Sequence, residues 1–157
     1  MNTSKEIAKH LYEVYFGGNW TTTNLSDELT DLTWEEAVQE IEGFNTIATL
    51  AFHVNYFSQS VSEVLEGNPL TSKDEFSFNH PEINSQENWN QFLNSVLEDG
   101  KIFSNLIKEL PDEKLYQPFV DDKYGNYYRN LHGIVEHIHY HLGQIVILKK
   151  LIRLNHA

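Results

Sequence analysis

Cysteine is absent from this 157-residue chain, which removes disulfides, a thiolate-ligated metal and a cysteine nucleophile together. Basic residues are scarce: 11 Lys and Arg against 23 Asp and Glu leave a formal charge of −12. A surface of that sign repels phosphate backbones and anionic headgroups, so no nucleic acid and no membrane is expected as a partner. No apolar run approaches the ~20 residues of a membrane span. The segment Met1-Asn2-Thr3-Ser4-Lys5-Glu6 begins an amphipathic pattern and lacks the apolar core of a signal peptide. These absences lead to the expectation of a soluble, cytoplasmic protein. Hydrophobic residues make up 40% and aromatics 13%, enough for one globular domain over residues 1–157 with a real core.

Helical periodicity dominates what is there. A first helix is expected over Ser4–Phe16, with Ile7, Leu11, Val14 and Tyr15 on its apolar side, a Thr3/Glu6 capping box, and Gly17-Gly18 as its stop. His10 reads as a boundary residue, and Trp20, in the loop that follows, as a structural plug. Leu25, Leu29 and Leu32 suit a short helical turn. Thr33 with Glu36 makes a second capping box. From there the apolar spacing through Ile41, Phe44, Ile47, Leu50, Val54, Phe57, Val61 and Leu65 predicts one continuous helix ending at Gly67-Asn68-Pro69. Residues 70–84 read as a connection long enough to cross between non-neighbouring helices. A third helix is expected from near Ser85 to Leu110, with Gly100 on its apolar face allowing close approach of another helix. Pro111 to Gly125 forms a second connection, with no more than a short extended piece near Gln117 to Val120. The last helix is expected from Asn126 or Tyr127 to Leu154. Four amphipathic stripes are buried together most simply in an all-α four-helix bundle.

Chemistry concentrates in that last helix. In the run Glu136-His137-Ile138-His139-Tyr140-His141-Leu142-Gly143-Gln144-Ile145, His137 and His141 stand one turn apart. An i,i+4 pair is offset by about 40°, so both imidazoles leave the same face, whereas His139 points away. His53 sits at the edge of the buried face of the second helix, between Leu50 and Phe57, and meets the pair if those two helices face each other. Three imidazoles with open positions are the plan of a catalytic zinc site, and all-imidazole ligation suits nickel, iron and copper as well. Gln144 is placed to orient a ligand imidazole, contact substrate or make an interhelical hydrogen bond, and Thr49 to support His53. Glu136 and Tyr140 are weaker acid/base candidates, Gly143 suits close packing, and no general base is assigned.

The segment Asn45-Thr46-Ile47-Ala48-Thr49-Leu50-Ala51-Phe52-His53 and the H-x-x-x-H-x-G-Q-I pattern of His137 to Ile145 resemble the second- and fourth-helix signatures of the DinB-like superfamily. Gly17-Gly18-Asn19-Trp20, followed by Leu29 and Thr33-Trp34-Glu35-Glu36-Ala37, is similar to one branch of it. The resemblance implies an up-down-down-up four-helix bundle, often a homodimer, with a divalent metal on His53, His137 and His141. Zinc or nickel stands first, with iron or manganese behind. Some relatives are thiol-dependent S-transferases or isomerases, and many have no known reaction. Because the chain has no cysteine, a low-molecular-weight thiol would have to come from outside. Three readings stay open: a metal-dependent, thiol-linked transferase of small molecules, a non-catalytic metal-binding or stress-related bundle, and a metal-dependent hydrolase.

Overall fold

The computed structural model describes residues 2–155. Among them the protein is helical, with no strand and a lone antiparallel bridge between Pro118 and Asn126. The helices are α1 (Thr3–Phe16), α2 (Leu25–Thr30), α3 (Trp34–Val38), α4 (Ile47–Leu65), α5 (Gln86–Glu109) and α6 (Tyr127–Asn155), with single 3-10 turns in the connections. None is long and apolar enough to cross a membrane among the described residues.

Helix ends follow the orphan N–H groups that each start leaves. Thr33 and Glu36 form their reciprocal capping box at α3. The side chains of Asn24, Thr46 and Ser85 accept from the third residue on and start α2, α4 and α5. The Thr3/Glu6 box expected for α1 is not formed. Asp112, from the connection before α6, accepts from Thr3 N at 3.0 Å and Ser4 N at 2.9 Å instead. A full carboxylate satisfies two orphan donors and complements the helix dipole, which a threonine hydroxyl cannot match. Those hydrogen bonds, from Ser4 and then Thr3, hold the Asp112 carboxyl below the usual carboxylate range.

The continuous helix expected from Thr33 to Leu65 is two helices. Residues 39–46 leave helical geometry, Gly43 turns through φ +83°, and Thr46 opens α4. Ile41 and Phe44 kept the apolar spacing alive across the break, yet Phe44 is 60% exposed. Trp20 is likewise no plug: it is 99% exposed, on a loop fastened by Asn19 to Glu13 O and Thr23 O.

The four long helices bury one common core. Ser104 Oγ donates to Ala8 O, and the Tyr15 ring lies over Gly100, so residue numbers run oppositely along α1 and α5. They rise together along α4 and α5, where Phe52 meets Phe92 and the amides of Asn55 and Gln59 both donate to Asp99 Oδ2. The connection after α4 therefore joins neighbouring helices, and its length serves to carry the chain back along α4. At the far end, Lys149 binds Glu28 and Asp31, and Arg153 binds Asp31 and Glu36, fastening α6 to α2 and α3.

Gly100 carries the α1–α5 contact. A Cβ there would stand 2.4 Å from Tyr15 Cδ1, and Tyr15 cannot retreat because it is wholly buried with its hydroxyl 3.0 Å from Ser58 Oγ. Gly100→Ala should therefore destabilise the protein by about 1–3 kcal/mol through overpacking, against the ~1 kcal/mol of helix propensity that alanine adds. Urea unfolding of both proteins measures the difference, and a stabilised variant would contradict this contact.

Candidate metal centre

His53, His137 and His141 come together where α4 packs on α6. Ile138, Leu142 and Ile145 are almost fully buried and set the rotation of α6. That rotation carries His137 and His141, one residue back from Ile138 and Leu142, onto the flank turned toward α4. On α4, Leu50 and Val54 are buried on either side of His53. His137 Nε2 lies 3.1 Å from His53 Nε2 and 3.0 Å from His141 Nε2, and the three ligand atoms all fall within 4.8 Å of one another. His53 and His141 are each only 8% exposed.

Hydrogen bonds on the far side of two rings fix their tautomers. Gln144 Oε1 lies 2.7 Å from His141 Nδ1, and a carbonyl oxygen only accepts, so His141 carries its proton on Nδ1. His53 Nδ1 lies 3.0 Å from Ser77 Oγ. The single hydroxyl proton of Ser77 is already given to Asp74 O at 2.7 Å, so Nδ1 of His53 must donate too. Both Nε2 atoms therefore present bare lone pairs to His137. Nδ1 of His137 is buried with no partner among the described residues. If His137 carries its proton on Nε2, it satisfies one neighbour at a time; if on Nδ1, three lone pairs face one another and a buried N–H is unpaired. A cation among the three Nε2 atoms satisfies those three lone pairs at once, and the His137 Nδ1–H stays unpaired among the described residues. Nitrogens at roughly 2.0–2.1 Å from a tetrahedral ion are about 3.3 Å apart, a few tenths of an ångström wider than the two short contacts here. The residues fit a metal.

Electrostatics agree with the neutral, ligating form. Burial, then the neighbouring His141 and His53, push His137 down to about 4. Burial and then His141 lower His53, against the opposing pull of Ser77 and Asp74, and burial lowers His141 against its bond to Gln144. The rings keep their lone pairs free at pH values where an ordinary imidazole is already charged.

No fourth histidine or carboxylate joins the group among the described residues. Aromatic rings wall it: Phe78 stacks on His53 at 4.2 Å, and Phe57 meets the edges of His53 and His137 at 5.0 and 5.2 Å. Two grooves lie away from the three histidines. One of about 520 Å³ lies between the second half of α4 and Asp99 and Ile102 of α5, and another of about 620 Å³ is formed by residues 40–46 and Thr49. Neither includes a histidine, so the donor set marks the chemistry and cavity size does not.

The other sequence candidates divide. Gln144 reaches an imidazole, that of His141 in its own helix, rather than a neighbouring helix. Thr49 does not support His53; its hydroxyl pairs with Thr46 at 2.8 Å. Glu136 is exposed, and Tyr140 is 65% exposed with its ring 4.9 Å from His141. His139 turns away, toward exposed His10, His132 lies against Tyr128, and His156 falls outside the described residues. Ser77 and Phe78 escaped sequence reasoning because their connection carries no period; two phenylalanines flanking a serine in an otherwise polar stretch were the available signal.

The depressed imidazoles set a pH dependence for the metal-free protein. On acidification the unfolded chain takes up protons near pH 6.5, while folded His137 refuses them until about pH 4. Stability should therefore fall as pH drops through that window, since the unfolded state binds more protons. Urea unfolding across the window with chelator present should give a shallower slope for His137→Gln than for the wild type. Equal slopes would refute the assignment.

Set against known protein families, curated proteins and solved structures, the chain matches none.

Proposed function

We propose that this protein is a DinB-like metal-binding four-helix bundle and works as a metal-dependent, thiol-linked S-transferase on small molecules. The observation that carries the metal reading is the set of three Nε2 atoms, two with tautomers fixed from behind, 3.0 and 3.1 Å from their shared neighbour. Zinc or nickel suits the all-imidazole donor set best, ahead of iron or manganese. The up-down-down-up arrangement is supported by the sense of the helix contacts: opposite for α1 with α5, shared for α4 with α5, and opposite for α4 with α6, where His53 meets His141 and Phe57, one turn later, meets His137.

A divalent ion in this position supplies a positive point that favours the thiolate form of a coordinated thiol or lowers the pKa of bound water. The side chains do the rest. His53, His137 and His141 would hold it, Ser77 and Gln144 aim two of those rings, and Phe57 and Phe78 keep one side apolar. The thiol comes from outside because the chain has none. Thiol transfer is favoured over hydrolysis by the likeness of the His53 and His137–Ile145 segments to the DinB-like signatures.

Protein purified without an affinity tag should carry about one divalent ion per chain. His53→Ala and His141→Ala should each weaken its binding by more than ~100-fold, since even loss of an outer hydrogen bond costs 10–100-fold. Both variants should lose thiol transfer in assays with a panel of low-molecular-weight thiols. Their unfolding midpoints should stay close to that of the chelated wild type, because the apolar stripes remain buried. A large fall in the midpoint on chelation, with no turnover for any thiol, would favour a structural metal. Full activity in metal-free His141→Ala would defeat the mechanism.

The active form is proposed to be a homodimer. Its support is an unpartnered apolar stripe on the outer face of α6. Tyr140, Ile147, Leu151 and Leu154 are 65%, 58%, 37% and 72% exposed at helical spacing, and a Cβ on Gly143 would meet nothing within 4 Å. A twofold axis buries such a stripe against itself. Sedimentation should give a dimer for the wild type and a monomer for Ile147→Asp. A wild type that stays monomeric across a wide concentration range would rule the dimer out.

A further inference from the structure

We propose that Ser77 is a positioning residue for His53, and that residues 73–78 form a strap that holds this ligand in its metal-binding tautomer; this rests on the three-histidine reading above. Ser77 is the exception in its surroundings. It is wholly buried, whereas Phe76 and Phe78 on either side are 50% and 44% exposed. A buried hydroxyl needs partners, and Ser77 has two with opposite demands. Asp74 O takes its proton at 2.7 Å, and His53 Nδ1 faces its lone pairs at 3.0 Å. Only Nδ1–H of His53 completes this chain. The other neutral tautomer would set a lone pair against a lone pair at Ser77 and place a proton where the metal lies.

The strap is gripped by α4 at two points. Tyr56, three residues after His53, donates its hydroxyl to Lys73 O and accepts from Lys73 N, both at 2.9 Å. One turn of strap later, Ser77 meets Nδ1 and Phe78 lies on the face of the His53 ring at 4.2 Å, with 15° between planes. The proton position of this ligand is thus set from outside its own helix, and its ring is held between Phe78 of the strap and Phe57 of α4. The contrast with α6 is sharp: His141 is held by Gln144 of the same helix, and His137 Nδ1 has no partner among the described residues. The strap therefore supplies one of the two tautomer controls that leave lone pairs aimed at the metal position.

Nitrogen-15 NMR of histidine-labelled, metal-free protein reads the tautomer directly. Wild-type His53 should be the Nδ1–H form, and Ser77→Ala should convert it to a mixture or to Nε2–H. Zinc affinity, measured by competition with a chromophoric chelator, should fall about 10–100-fold in Ser77→Ala, with helicity and the metal-free unfolding midpoint near wild type. Tyr56→Phe, which loosens the strap at Lys73 and leaves Ser77 intact, should weaken zinc binding several-fold. Unchanged zinc affinity and tautomer in Ser77→Ala would overturn the proposal. So would an Nε2–H His53 in the wild type, which decides the matter even if Ser77→Ala does not fold. A wild type that binds no zinc yet keeps the Nδ1–H form would instead defeat the metal reading and leave the role of Ser77 standing.

Discussion

The packing of α4 against α6 brings three imidazole nitrogens to contact distance, and the polar groups around them keep two of those nitrogens bare. Gln144 and Ser77 spend their acceptors on Nδ1 atoms, and burial opposes protonation of all three rings. A protein that needed these histidines only for packing would be expected to pair their polar atoms. Here, whichever nitrogen of His137 carries the proton, at least one of the three facing Nε2 lone pairs goes unmatched among the described residues, a cost of about 1–3 kcal/mol for an unsatisfied buried group. An arrangement that is poor as a hydrogen-bond network becomes good once a cation accepts the lone pairs, and this difference separates a site from three buried side chains.

The opposite side of the molecule has the reverse character. Where α1 meets α5, the Tyr15 ring fills the space of a missing Cβ at Gly100, its hydroxyl reaches Ser58, and Ser104 closes on Ala8 O. Burial pushes the Tyr15 hydroxyl up to about 12, so this contact stays neutral and unchanging across ordinary pH. Rigidity on this side gives α4 a fixed seat, since Tyr15 and α5 hold it through Ser58, Asn55 and Gln59. With α4 fixed, the placement of His53 depends on the strap and on α6 alone.

The sequence exposed what repeats and hid what does not. Helical spacing placed α1, α5 and α6 within a residue or two, and the i,i+4 interval of His137 and His141 gave their common face. His53 was visible because it lay at the edge of an apolar stripe. The gap at residues 39–46 was hidden because Ile41 and Phe44 continue the spacing by coincidence, and only Gly43 and the capping residue Thr46 marked it. Trp20 was misread because a large aromatic is usually buried, whereas its loop is tied by Asn19 through backbone carbonyls and leaves the indole outside. Asp112 at the start of α1 and Ser77 beside His53 come from 108 and 24 residues away. No local pattern announces such contacts, because they are made by the fold.

That division bears on how the site relates to stability. The residues that orient α6, Ile138, Leu142 and Ile145, are buried at 2% exposure or less, and none is a ligand. His137 and His141 lie beside this stripe, so the candidate site is carried by a helix whose position is already determined by apolar contact. The desolvated, uncharged imidazoles are then a local strain that the core supports, as expected of functional sites. His53 differs from its two partners in one respect. Its helix fixes where the ring is, but the strap fixes which nitrogen is free, and the strap rests on the protein through few groups: Tyr56 at Lys73, His53 at Ser77, and the Phe78 face. A connection with no helical period thus meets the nitrogen of His53 that faces away from His137.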